Sequence, residues 1–145
     1  MRPRIVAAAF LLIAGLLIAG LAGPATALDN GYPAVPLISA DTTIIGEPLA
    51  YPTTGPAHVT AAIVTLAPGA STIVHRHGVP LFAYILEGEL TVDYGAHGKR
   101  TYRVGQAFME AMAAPHAGTN TGTQPVRLLA VYMGAQGAAD VIPEK

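Results

Sequence analysis

The chain has 145 residues, 52% of them hydrophobic and 12% charged, with eight Lys and Arg against nine Asp and Glu and no Cys. This length carries one domain with a sizeable core and is short for two. The missing Cys excludes disulfides and thiolate chemistry, and the near-neutral balance leaves no basic surface of the kind nucleic acid requires.

The first segment is a leader in composition. Arg2 and Arg4 precede an uncharged run from Ile5 to Gly23, followed by Ala25-Thr26-Ala27, a small-residue cleavage pattern. That is the order of a secretory signal, so 1–27 is expected to be a signal peptide cleaved after Ala27, placing the protein in the periplasm or outside the cell. The run would also just cross a bilayer, so an uncleaved anchor over 5–23 is the competing reading and the one route to a membrane. Pro3 separates the two arginines, so a twin-arginine signal is unsupported, and no Cys is present for lipid attachment. Cleavage leaves six Lys and Arg against nine Asp and Glu, a formal −3.

Residues 28–56, rich in Pro, Gly, Thr and Ala, show no sustained period and read as an arm or spacer with one edge strand at Thr42–Ile45. From 57 to 145 short runs of Val, Ile, Leu, Tyr and Thr alternate with turn residues, predicting an all-β domain of antiparallel strands. The expected strands are Val59–Leu66, Thr72–His77, Leu81–Leu86, Glu89–Tyr94, Thr101–Val104, Ala107–Glu110, His116–Asn120 and Val126–Met133. Leu90, Val92 and Tyr94 alternate with Glu89, Thr91 and Asp93, so this strand has one wet face. Leu81–Leu86 is apolar throughout, predicting burial on both faces or cover by a second copy in a homodimer. The Ala- and Gly-rich tail after Gly134 reads as loose until Val141.

His75 and His77, at i and i+2, point to one side of a strand with Cα atoms about 6.6 Å apart. His116 on a later strand can join them, and three imidazoles meeting at a point make a divalent metal site. Arg76 faces the opposite side. His97, in a Gly-bounded turn, is expected at the surface, as are Glu87 and Glu89, and His58, before the first core strand, is expected to be structural or at the surface.

The spacing also resembles the cupin superfamily. Its first motif is matched by Gly69, His75, His77, position 81 and Gly88, and its second by Gly105, Ala111, Ala113, His116 and Asn120. The resemblance implies a single-domain antiparallel β-barrel of the jelly-roll, double-stranded β-helix type, with His75, His77 and His116 as ligands. Where cupins usually carry a Glu ligand this chain has Leu81, and Ala111 and Ala113 replace a usual Pro and Gly. Glu110 is the nearby carboxylate, read as a weak catalytic or histidine-orienting candidate or else a solvated strand end. Leu81, Phe82, Tyr84, Phe108 and Met112 are expected to shape the pocket of an enzyme, and the aromatics Phe82, Tyr84, Phe108 and Tyr132, at strand spacing, are core by default or else pocket wall.

Zn, Cu, Fe, Mn and Ni all remain open, with zinc and copper favoured by neutral imidazoles. Three functions are compatible with this pattern. They are a dioxygenase-like enzyme acting on a small organic substrate, a non-catalytic binder of metal or small ligand, and a dimeric structural barrel with a vestigial site.

Overall fold

The computed structural model describes Gly31 and residues 33–145. The expected leader or anchor at 1–27 and the start of the arm lie outside the described residues. The chain divides into two compact units, Met1–Val35 and Pro36–Lys145. Among the described residues, the second unit holds all the regular structure.

Its elements are β1 (Ala57–Leu66), a two-residue β2 (His75–Arg76), β3 (Leu81–Glu87), β4 (Glu89–Asp93), a 3₁₀ turn (Gly95–His97), β5 (Lys99–Arg103), β6 (Ala107–Met109), β7 (Ala117–Asn120), β8 (Val126–Ala135) and β9 (Ile142–Pro143). One wall is antiparallel in the order β1-β8-β3-β6. The other runs β5-β4-β7, and bridges at Ser71↔Thr119 and His75↔His116 continue it to β2, which pairs with β9. The inner faces of the two walls meet in a core that includes Ala83, Ile85, Leu128 and Phe108 from one side and Leu90, Val92, Tyr94 and Tyr102 from the other. Each of the larger apolar side chains contributes about 1.5–3 kcal/mol by leaving water. This is the antiparallel β-barrel that the period-two pattern predicts.

Four expectations are corrected. Thr42–Ile45 forms a turn and not a strand: Gly46 and Pro48 reverse the chain, leaving one bridge, Thr42↔Pro48, and an Ile44 N–H bonded to the Met109 carbonyl at 2.8 Å. Thr72–His77 is regular only at His75–Arg76. The two bridges beside it pair four steps of this segment with three of its neighbour, so one extra residue bulges outward around Ile73 and Val74. Of the two readings of β3, burial on both faces fails within the chain, which leaves cover of its outer face by a second copy. Leu81, Ala83 and Ile85 face the core, whereas Phe82, Tyr84 and Leu86 are only half-buried on an outer wall that also exposes Val59 and Ile63.

The tail is the fourth. β8 runs on to Ala135, and residues 136–141, though without a regular element, bring the carbonyls of Ala139 and Asp140 against Gly78 and His77, while Ile142–Pro143, past the stretch expected to be loose, pairs with β2. A Cβ at Gly78 would lie 2.5 Å from the Ala139 carbonyl oxygen, so a side chain of zero size is what lets the tail dock. Arg76, facing outward as expected, forms an ion pair with Glu144.

Gly88 joins β3 to β4 at φ +76°, and a Cβ there would meet the Pro125 carbonyl oxygen at 2.5 Å. Both the left-handed conformation and the close approach exclude a side chain. Gly88→Ala is expected to destabilise the protein by on the order of 2 kcal/mol, read as a lower midpoint in urea at unchanged slope.

Candidate metal centre

The backbone ladder brings the three histidines together. His75 and His116 are directly opposite, each donating its N–H to the other's carbonyl at 3.0 Å, so their side chains leave the sheet on one face. His77, two residues on, shares that face and donates its N–H to the Met112 carbonyl at 3.0 Å. The ring centroids lie 4.7–5.1 Å apart. One ring nitrogen from each residue falls within 4.8 Å of the other two. Three donors bonded to one ion at 2.0–2.1 Å lie about 3–3.6 Å from one another, while two of them can be at most about 4.2 Å apart, so the rings seat a metal by closing on it by about an ångström.

The nitrogens facing away from this centre are all taken. Nδ1 of His75 bonds the Ile73 carbonyl at 2.8 Å, Nδ1 of His77 the Asp140 carbonyl at 2.8 Å, and Nδ1 of His116 the Ala114 carbonyl at 2.9 Å. A carbonyl only accepts, so each Nδ1 carries the proton and each Nε2 presents a lone pair. Nε2 of His77 and of His116 are buried without any partner. An orphaned buried acceptor costs about 1–3 kcal/mol, and a cation shared among three of them removes that cost. The donor set therefore fits a divalent metal.

The centre opens into a cavity of about 60 Å³ lined mainly by apolar side chains, among them Val64, Leu66, Leu81, Leu90, Leu128 and Tyr132. That is room for a few waters or a ligand of a few heavy atoms. Of the side chains expected to shape or wall the pocket, Leu81 and Tyr132 line it. Phe82 and Tyr84 fall on the other face of β3, Phe108 stacks on Tyr102 in the core with centroids 3.7 Å apart, and Met112 lies in the loop before His116. His58 and His97 are exposed as expected. Glu87 and Glu89 pair at the surface with Arg127 and Arg103.

Glu110 is not a solvated strand end. It is 6% exposed and lines the cavity, with Oε1 accepting the Ala111 N–H at 2.8 Å and Oε2 facing Nε2 of His116 at 3.9 Å. Burial pushes its carboxyl up to about 7, against the Tyr94 hydroxyl and the Ala111 N–H, which pull it down. Burial likewise lowers all three histidines, His77 to about 4 with the help of the neighbouring imidazoles. The rings are neutral near pH 7, the form a metal takes.

Asn120, the last residue of the second motif, is structural. Its side-chain amide donates to the Leu66 and Gln124 carbonyls and accepts from the Gly122 N–H, sealing the turn after β7.

Sequence reasoning missed two contributors. Glu47, in the supposed spacer, accepts the N–H groups of Met112, Ala113 and Ala114 at 2.7, 2.9 and 3.0 Å, and Thr43 donates its hydroxyl to the same carboxylate at 3.1 Å. Burial alone would raise this carboxyl, but those bonds overcome it and hold the group below the usual carboxylate value. Glu47 thereby fixes the loop whose Met112 and Ala114 carbonyls position His77 and His116. The second contributor is Asp140, whose carbonyl orients His77 from the tail. The pairings run across 65–67 and 63 residues respectively and leave no periodic trace.

Comparison with known proteins agrees with the fold. Residues 62–132 match the family model described as "Cupin domain". The oxalate decarboxylase of Lactobacillus farciminis, solved as its formate complex, is similar at 26% identity over 59% of this chain and 26% of its own, with a TM-score of 0.49. The chain thus spans about a quarter of that enzyme's length. A polyketide cyclase from Streptomyces resistomycificus is similar at 21% identity and TM-score 0.50, over 64% of this chain and 63% of its own. A cupin domain of a transcriptional regulator from Enterobacter cloacae shows 28% identity over 50% of this chain and 78% of its own, TM-score 0.43. No curated protein sequence matches the chain.

Two outcomes follow for metal-free protein. Between pH 6.5 and about 4 the unfolded chain binds a proton that folded His77 refuses, so stability falls with pH across that window, by roughly 3 kcal/mol, and levels off below it. Glu110 acts oppositely: folded, it holds a proton up to about pH 7, whereas unfolded it loses it near 4.5, so its contribution fades as pH rises between those values. The two windows overlap with opposite signs, so thermal melts of wild-type protein from pH 4 to 8 should be nearly flat, and Glu110→Gln should unmask the loss of stability toward pH 4 that His77 causes. Separately, Glu47→Ala leaves three loop amides without their partner and is expected to cost on the order of 2 kcal/mol, with faster hydrogen exchange at residues 112–114.

Proposed function

Because the chain belongs to the cupin superfamily through the barrel formed over residues 62–132, we propose that it is an exported divalent-metal protein that binds a small organic ligand beside its ion. The observation that carries this reading is the triplet of imidazoles whose Nδ1 protons are all committed to backbone carbonyls and whose Nε2 lone pairs face one centre. His75, His77 and His116 would hold the ion. When bound, it supplies a Lewis acid with open coordination positions for dioxygen or a chelating group. Zinc and copper are the ions that three neutral imidazoles hold most tightly among those an exported protein meets, and iron, manganese and nickel are accommodated by the same donors.

Two chemistries suit the cavity. As an enzyme, the protein would activate a small substrate, such as a short chelating acid, or oxygenate it. Leu81, Leu90 and Leu128 would exclude water, and Glu110 would bring its carboxylate to the edge of the centre. As a binder, it would hold metal and ligand without turnover. Export rests on the leader pattern of residues 1–27. A homodimer is supported by the apolar outer wall, where Val59, Ile63, Phe82, Tyr84, Leu129, Val131 and Met133 are left half-buried or exposed.

Protein purified from its native compartment is expected to carry close to one divalent ion per chain by elemental analysis, and His77→Ala or His116→Ala to lose it. Oxygen uptake with a panel of small keto and hydroxy acids then separates the chemistries. Turnover identifies an enzyme, and a thermal shift without turnover a binder. Wild-type protein that takes up no divalent metal sinks the proposal.

A further inference from the structure

We propose that Glu110 is the fourth metal ligand, supplying from β6's end the carboxylate that position 81 lacks. The inference rests on metal binding by the three histidines and adds an anionic donor to it. Leu81 and Glu110 are neighbours across the β3–β6 ladder: the Glu110 N–H donates to the Leu81 carbonyl at 2.9 Å, and both side chains line the same cavity. A carboxylate one strand over therefore reaches the space that a carboxylate at 81 would enter. Glu110 is the one acidic side chain lining that cavity.

The Tyr94 hydroxyl and the Ala111 N–H hold the Glu110 carboxylate in place, and its Oε2 faces the histidine centre. Oε1 is pinned by the Ala111 N–H, which leaves Oε2 to face Nε2 of His116 across 3.9 Å. That gap exceeds a hydrogen bond, normally about 2.7–3.2 Å. It falls inside the span of about 4.2 Å that two donors on a common ion can occupy. A direct Nε2 to Oε2 contact is therefore not what holds these groups in place, whereas an ion between them satisfies both.

Charge balance points the same way. Three neutral imidazoles leave a divalent ion with its full charge in an apolar cavity, and a carboxylate only 6% exposed is itself a charge in need of a counter-ion. Among the described residues, Glu110 has no Lys or Arg in ion-pair contact; those contacts pair Arg76, Lys99, Arg103 and Arg127 with acids at the surface. Cation and carboxylate each remove the other's desolvation penalty, and the ion keeps fewer open positions than three histidines alone would give.

The test uses the full chain loaded with Co2+, whose visible spectrum reports the donor set. Glu110→Gln should weaken Co2+ binding by about tenfold or more and shift the visible bands, while the metal-free variant melts no lower than wild type because a buried acid has gone. Moving the carboxylate back, in the double variant Leu81→Glu with Glu110→Leu, should recover the affinity. If Glu110→Gln binds Co2+ with wild-type affinity and spectrum, the assignment is wrong although the three-histidine site stands. If wild-type protein binds no Co2+, both fall. Should Glu110→Gln not fold, infrared difference spectra of wild-type protein on adding Zn2+ decide the point. A new metal-carboxylate band that is absent from Glu110→Asp supports the assignment, and no such band overturns it.

Discussion

Three hydrogen bonds from imidazole to backbone organise this molecule. A histidine ring offers two nitrogens, and only when one is committed as a donor does the other become a fixed lone pair. Here the committing carbonyls come from three different places: Ile73 in a bulge, Asp140 in the tail and Ala114 in the loop before β7. The site therefore requires the bulge, the docked tail and the loop to hold their places at once. Much of the irregular structure in this barrel serves that requirement.

That dependence explains features that look unrelated in the sequence. The extra residue around Ile73 and Val74 interrupts a strand, yet it turns a carbonyl toward the His75 ring. Gly78 admits the tail closely enough for Asp140 to reach His77. Glu47 gathers three consecutive amides of the loop between β6 and β7, and so steadies Met112 and Ala114 beneath the histidines. A segment legible only as a spacer is thus part of the support of the centre.

The electrostatics complete the design. Burial keeps the imidazoles neutral and the Glu110 carboxyl hard to ionise while no cation is present, so the empty arrangement carries little charge into an apolar interior. The same burial makes a cation and a carboxylate strongly attractive to one another once both are inside. A small cavity walled by leucines and valines keeps water few and the local dielectric low.

Local pattern determined a good deal. Alternation along Glu89–Tyr94, turn residues at regular intervals and the i, i+2 spacing of His75 and His77 identify a β-barrel and a pair of histidines on one face, because strand geometry alone decides which side chains share a face. The spacing to His116 and Asn120 adds the third imidazole through family resemblance. Tertiary structure alone decided the rest. Whether β3 is covered on its outer face, which carbonyl receives each Nδ1 proton, that Glu47 clamps a loop and that Glu110 is buried beside His116 all depend on contacts between residues tens of positions apart. Such contacts are set by how two walls pack and not by any period within a strand, so they leave no mark on the order of amino acids.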